Sequence, residues 1–209
     1  MKIYPVCLKL EGHPCLVVGG GRVACRKVKS LLECGARVTV ISPALCRPLE
    51  KLHKEKKIFF KKSEYRKKFL RGVFLVIAAT NDGKVNLKIQ KEAKDKKILF
   101  NIVDKPKLCN FYVPAVIRKK GLLVCVSTAG KFPGLAKKLK EDLSHILGDY
   151  ASKIKILAGI RSQIKRRVKS PKMRKKLVKI LLHRRILNLI ERKRIRFFRD
   201  FKKYHGLHG

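Results

Sequence analysis

Through the first hundred positions, apolar residues alternate between short unbroken runs and longer stretches where they recur every three or four residues. Cys15 to Val18 is one such run and reads as a buried strand. It breaks into Gly19-Gly20-Gly21, after which Val23 to Leu32 carries apolar residues at helical spacing until Gly35 stops the helix. Arg37 to Ile41 reads as the next strand. Strand, glycine turn, helix and strand in this order form a βαβ unit, whose two strands lie parallel and are joined by a right-handed crossover. The pattern continues with strands at Ile58 to Phe60, Val73 to Ala78 and Ile98 to Val103, and a helix from Lys84 to Lys94. The run Phe74 to Ala79 shows no alternation of period two, as expected where helices cover both faces of a sheet. These segments predict an α/β chain with a parallel, doubly wound sheet.

Beyond Pro114 the pattern changes. Val113 to Ile117 and Leu122 to Ser127 read as strands joined by the turn Lys119-Lys120-Gly121, followed by a helix from Gly134 to Leu147. From Tyr150 onward the chain reads as helical, with Ser170-Pro171 as cap and first position of a helix that carries Leu177, Ile180, Leu181 and Leu182. The expected domains are residues 1–113 (nucleotide-binding), 114–148 (small α+β) and 149–209 (basic and helical).

With 209 residues, 45% of them hydrophobic, the chain is long enough for one sizeable core and a smaller second one. No apolar run has the length of a membrane span, and the first ten residues lack the pattern of a signal peptide, so a cytoplasmic protein is expected. Seven cysteines without a C-x-x-C pair argue against a disulfide framework or a zinc ribbon and are expected as reduced core thiols. The six histidines are isolated, two of them (His205 and His208) near the end, and no metal ligand is assigned. The formal charge of +40, from 54 Lys and Arg against 14 Asp and Glu, favours polyanions such as nucleic acid or a polycarboxylate metabolite. A solvated basic face is the plainer explanation, and the excess is densest after Ser152.

Three segments could carry chemistry. Gly19 to Ala24 (GGGRVA) fits G-x-G-x-x-A: Gly19 permits the tight turn, Gly21 lets the backbone approach a pyrophosphate, Ala24 allows close helix packing, and Arg22 and Val23 open the helix. Following a strand and opening a helix, it predicts a Rossmann-type dinucleotide site. The acidic residue expected after the second strand is replaced by Ile41-Ser42-Pro43-Ala44. Ser42, or the backbone near Pro43 and Ala44, is then the candidate for the adenosine half, and the choice between NAD and NADP stays open, since Arg47 could suit a 2′-phosphate. Thr80 and Asn81 should emerge at the C-terminal edge of the sheet as nicotinamide-side contacts, or alternatively Asn81 and Asp82 make a turn and helix cap. Asp104 ends another strand at that edge. A lone carboxylate among cations is usually an ion-pair partner, but it can also take a proton from a substrate.

Taken together, these residues resemble the precorrin-2 dehydrogenase and sirohydrochlorin ferrochelatase family, which includes the N-terminal part of siroheme synthases. The likeness covers roughly the first 150 residues. It is carried by Tyr4 to Val6, Cys15 to Ala24, Arg26-Lys27, Leu31 to Ala36, Val38 to Pro43, Ala78 to Asp82, Asn86, Asn101 to Asp104, Pro106, Phe111, Pro114, Ser127-Thr128, Gly130 and Pro133 to Ala136.

The resemblance implies a dinucleotide-binding domain, a dimerisation domain and a C-terminal helical part, assembled as a homodimer. It implies NAD-dependent oxidation of precorrin-2 to sirohydrochlorin, with Arg22 and Val23 over the cofactor pyrophosphate, Pro43 and Ala44 beside the adenosine, and Asp104 as the catalytic carboxylate. Lys105, Lys107, Arg118 and Thr128 become candidates for holding the carboxylates of the substrate. Some relatives also insert ferrous iron into sirohydrochlorin, which this sequence neither requires nor forbids. The methyltransferase region of the longer siroheme synthases is not expected here. Phe132 stands where relatives commonly have Ser, and an interface position is the expected role of such an aromatic. A rival from another class is a dinucleotide-sensing, nucleic-acid-binding protein, using basic helices from Lys153 to Lys203 and the aromatics Phe197, Phe198, Phe201 and Tyr204.

Overall fold

The computed structural model describes residues 3–183 and Leu187. Phe197, Phe198, Phe201, Tyr204, His205 and His208 lie outside the described residues, as does most of the basic segment expected beyond Leu182. The chain divides into two compact units, Met1–Val113 and Pro114–Gly209.

In the first unit, β1 (Pro14–Val18), β2 (Arg37–Ser42), β3 (Phe59–Lys62), β4 (Leu75–Ala78) and β5 (Leu99–Ile102) form one parallel sheet in the order β3-β2-β1-β4-β5. The order reverses direction beside β1, which pairs with β2 on one side and β4 on the other. Such a switch point opens a crevice at the C-terminal ends of the strands. Side chains alternate between the two faces. Cys15, Val17, Val38, Val40, Leu75 and Ile77 meet α1 (Arg22–Leu32) through Ala24, Val28 and Leu31, and α2 (Arg47–Lys54) through Leu49. Leu16, Val18, Ile41, Val76 and Ala78 form the other cluster with Ile89 and Ala93 of α3 (Gly83–Asp95). The sheet is therefore doubly wound, and the expected α/β, Rossmann-type fold is borne out.

α2 and two short 3-10 turns, Lys67–Leu70 and Pro106–Leu108, were not foreseen. Pro48 stands in the first turn of α2, which needs no N–H from it. The edge strand β5 is covered by the chain that follows it. Asn110 donates to Ile98 O and accepts from Phe100 N, and the Cys109 sulfur accepts from Ile102 N at 3.2 Å. An otherwise open row of ladder groups is thereby satisfied.

In the second unit, β6 (Ala115–Lys119) and β7 (Leu122–Val126) pair antiparallel through the two-residue loop Lys120-Gly121. Both loop residues have positive φ (42° and 86°), which suits the twist of a tight hairpin. α4 runs from Pro133 to Arg167 without interruption. A helix ending at Leu147 was expected, just before Gly148. An interior glycine costs only about 1 kcal/mol and need not break a helix that packs on a sheet. Here the Lys119 ammonium donates to Ser144 O within α4, close to Gly148. α5 (Pro171–Leu181) begins as predicted, the Ser170 side chain accepting from Met173 N. It buries Leu177 and Leu181 against Ile160 and Ile164, whereas Leu182, beyond the helix end, is exposed rather than core.

The expectation of core thiols needs correction as well. Only Cys15 and Cys25 are buried, while Cys7 lies on an exposed extended segment and Cys125 on the outward side of β7.

The Tyr65 hydroxyl donates to a Glu92 carboxylate oxygen at 2.7 Å, joining the segment after β3 to α3. Burial, reinforced by this hydrogen bond and the carboxylate charge, pushes the Tyr65 hydroxyl far above its ordinary range, so the bond survives at every accessible pH at which Glu92 is ionised. Tyr65→Phe removes the donor and leaves the ring; a loss of about 1–2 kcal/mol is expected in urea unfolding with unchanged m-value.

Candidate functional site

The glycine turn after β1 is shaped by close approaches of backbone. Gly19 has φ +122°, and a Cβ there would lie 2.3 Å from the carbonyl oxygen of Ala79, just past β4. A Cβ on Gly20 would fall 1.8 Å from Ala44 O and 2.7 Å from the Ser42 hydroxyl. Gly20 O also accepts from Cys46 N at 2.8 Å, which ties the turn to the start of α2. Gly20 is the variable position of the motif, so its template assigns it no role. In this chain it is the most crowded of the three. Gly21, by contrast, meets nothing within 4 Å.

Gly21 is the N-cap of α1 and has no side chain with which to cap it. The N–H groups of Arg22, Val23 and Ala24 therefore point out of the first turn with no partner in the helix. No acidic side chain occupies that turn, and Ala24 is fully buried against the sheet. An open space, free donors and the positive end of a helix are what a diphosphate requires, so the turn fits a dinucleotide.

Around this turn, the ends of β1, β2, β4 and β5 bring together most of the expected residues. Ser42 is buried; Pro43 and Ala44 are exposed on the loop that leads to α2, where Arg47 also lies exposed. Thr80 is half-buried and anchored: its hydroxyl bonds with Asn86 Oδ1 at 3.0 Å, and Asn86 Nδ2 donates to Thr80 O. Asn81 is exposed and does not cap α3. That cap is Asp82, whose carboxylate accepts from Lys84 N and Val85 N. Asp104 is exposed in a turn closed by Lys105 N donating to Ile102 O, with φ +60°, a left-handed conformation that Asp tolerates better than most residues. Lys105 and Lys107 are exposed beside it, the Lys105 ammonium lying over the first residue of α3, Gly83. Arg118 on β6 and Thr128 belong to the second unit, where the Thr128 hydroxyl accepts from Phe132 N at the entry to α4.

Sequence reasoning assigned no role to Lys27 or Cys109. Lys27 is half-buried on α1; burial holds its ammonium below the usual lysine range, Arg26 adds to this, and Asp104 and Cys109 act against it. Burial raises the Cys109 thiol, opposed by the Ile102 N–H and by Lys27. The signal available in sequence was the pairing of Lys27 with helical spacing, which by itself marks many surface lysines. Among the described residues no group of three or more His, Cys, Asp or Glu stands together as a metal site, and no helix is long and apolar enough to cross a membrane.

Residues 6–115 match the family model described as "Putative NAD(P)-binding", which covers the glycine turn and Asp104. The chain belongs to that family. Its curated relatives include siroheme synthases of Methylobacillus flagellatus, 39% identical over 176 residues, and of Photorhabdus laumondii, 36% identical over 176 residues. Each alignment takes in 84% of this chain but only 38% and 37% of the relative, so the chain spans less than two-fifths of their length. Among solved structures, SirC, a precorrin-2 dehydrogenase, superposes with a TM-score of 0.79 at 29% identity, covering 97% of this chain and 100% of that one. The resemblance read from the sequence is borne out by these relatives, and the cofactor class they support is a nicotinamide dinucleotide.

Two glycine variants separate folding from binding. Gly20→Ala must displace the Ala44 carbonyl and is expected to lower the thermal midpoint as well as cofactor affinity. Gly21→Ala has room in the free protein, so stability should change by no more than about 1 kcal/mol. It should nonetheless weaken NADH binding at least about tenfold in a fluorescence titration, because the methyl occupies the approach of the diphosphate.

Proposed function

We propose that the protein is a cytoplasmic, NAD-dependent precorrin-2 dehydrogenase that works as a homodimer. The observation that supports this function is that Asp104 lies on the same sheet edge as an open glycine turn, in a chain 97% covered by the match to SirC. The preference for NAD over NADP follows from the family resemblance. Apolar side chains exposed on β7 and α4, among them Leu123, Leu135, Ile146 and Tyr150, supply the kind of surface a second copy would cover.

The reaction removes a hydride and a proton from the reduced macrocycle, which gains a double bond and becomes sirohydrochlorin. Bound NAD supplies the hydride acceptor. The residues of the chain do the remaining work. The N–H groups of Arg22, Val23 and Ala24 hold the diphosphate, with Gly19 and Gly21 giving it room. Ser42, Pro43 and Ala44 flank the adenosine. Thr80, fixed by Asn86, and Asn81 bound the nicotinamide side. Asp104 takes the departing proton and passes it to solvent, to which it is open. Lys105 and Lys107 are the groups the first unit offers to the carboxylates of the substrate.

The test is anaerobic absorbance spectroscopy with precorrin-2 and NAD, following sirohydrochlorin and NADH together, with NADP run in parallel. Asp104→Asn should bind NADH as the parent does and lose turnover by about 100-fold or more, the scale of a proton-transfer group. Full turnover by that variant would remove Asp104 from the chemistry.

A further inference from the structure

α1 presents three faces, and their neighbours are distinct. Ala24, Val28 and Leu31 form the buried stripe against the sheet. At about 100° per residue, Cys25 lies to one side of that stripe and Lys27 to the other. The Cys25 thiol shares a hydrogen bond with Cys46 at the start of α2, so that flank turns toward the β2 half of the sheet. The Lys27 flank must then turn toward β4 and β5. Val103 and Phe111, which bracket Asp104 and Cys109 in sequence, pack into the same hydrophobic cluster as Ala24, Cys25, Val28 and Leu31. Val103, next to Asp104, thus places the start of the carboxylate turn on the α1 side of the sheet, while Leu108 and Cys109 further along pack into the opposite cluster with α3. Side chains of a helix lean toward its N-terminus, which carries the Lys27 stem back toward the glycine turn and the edge where Asp104 sits.

We propose that the Lys27 ammonium is a binding group for a carboxylate of the tetrapyrrole substrate, seating the macrocycle between the glycine turn and Asp104. This rests on the dehydrogenase function proposed above and names a contact of the same site. Among the described residues no hydrogen bond or ion pair within 4 Å holds the Lys27 side chain. The Lys27 cation is half removed from water and the carboxylate that faces it, Asp104, stands beyond ion-pair distance, so an incoming carboxylate offsets a desolvation cost that the exposed lysines of the surface do not carry. The direction of its own proton equilibrium agrees, since burial disfavours the charged form and a bound anion would restore it. Lys105 and Lys107 stand on the solvent side of the same turn, so Lys27 supplies a positive contact from the helix side of the crevice.

The experiment is an absorbance titration of the full-length protein with sirohydrochlorin, beside steady-state turnover of precorrin-2. The variants are Lys27→Gln, Lys27→Met and Lys27→Arg, with NADH affinity and thermal midpoint as controls. Gln and Met both keep a good helix former and an unbranched stem, so one of them serves if the other folds poorly. The expected result is about tenfold weaker sirohydrochlorin binding and a correspondingly raised KM for the uncharged variants. The kcat should change much less and NADH affinity not at all, and Lys27→Arg should recover most of the loss. Binding and KM equal to the parent's in Lys27→Gln or Lys27→Met would overturn the anchor while leaving the dehydrogenase function standing. A parent protein that neither binds sirohydrochlorin nor turns over precorrin-2 would overturn both.

Discussion

Contact between bare backbone segments at the glycine turn is the constraint from which the rest of the first unit follows. Gly19 lies against the Ala79 carbonyl and Gly20 against the Ala44 carbonyl at separations that leave no room for a methyl group. These two approaches draw the ends of β1, β2 and β4 to one level. They also start α1 with its free N–H groups facing outward rather than into a neighbouring loop. Van der Waals repulsion is steep, so a carbon atom added at either glycine would move a strand end, not merely a side chain. The open approach at Gly21 exists because its two neighbours absorb the crowding.

Charge is organised around that frame in a way that net composition conceals. A chain with 54 cationic and 14 anionic residues has cations almost everywhere, and most are exposed and well hydrated. What distinguishes the sheet edge is the absence of carboxylates from the first turn of α1, the exposed carboxylate of Asp104, unlike that of Asp82, which is engaged in capping α3, and a lysine partly withdrawn from water near Asp104. Desolvation, rather than the number of charges, makes one lysine chemically different from its neighbours, because an exposed pair is screened and a buried charge is not. The same economy is seen in Cys109, whose thiol completes the hydrogen bonding of an edge strand instead of standing free.

In the second unit the local rules hold while the larger boundaries do not follow from them. Lys120-Gly121 makes the tight turn that its residue types favour, and Ser170-Pro171 starts α5 as cap and first residue. Yet the helix expected to stop before Gly148 continues for five more turns, since packing against β6 and β7 outweighs the small preference of one glycine.

The strands, the first and third helices, the order of the parallel units and the place of the glycine turn could all be read from the sequence. Unbroken apolar runs and helical spacing are local consequences of which faces must be buried. The positions of Asp104 and Thr80 at strand ends were legible for the same reason. Other features were decided only when distant segments met. Gly20 needs to be glycine because Ala44, twenty-four residues later, comes to lie against it. Asp82 rather than Asn81 caps α3, and Asn86 rather than solvent holds Thr80, because of how the chain leaves β4. Lys27 differs from the lysines around it only through burial beside a turn that follows another strand. Sequence specifies which groups are present and their local conformation, whereas crowding and desolvation are properties of pairs far apart in the chain, and these arise only in the folded state.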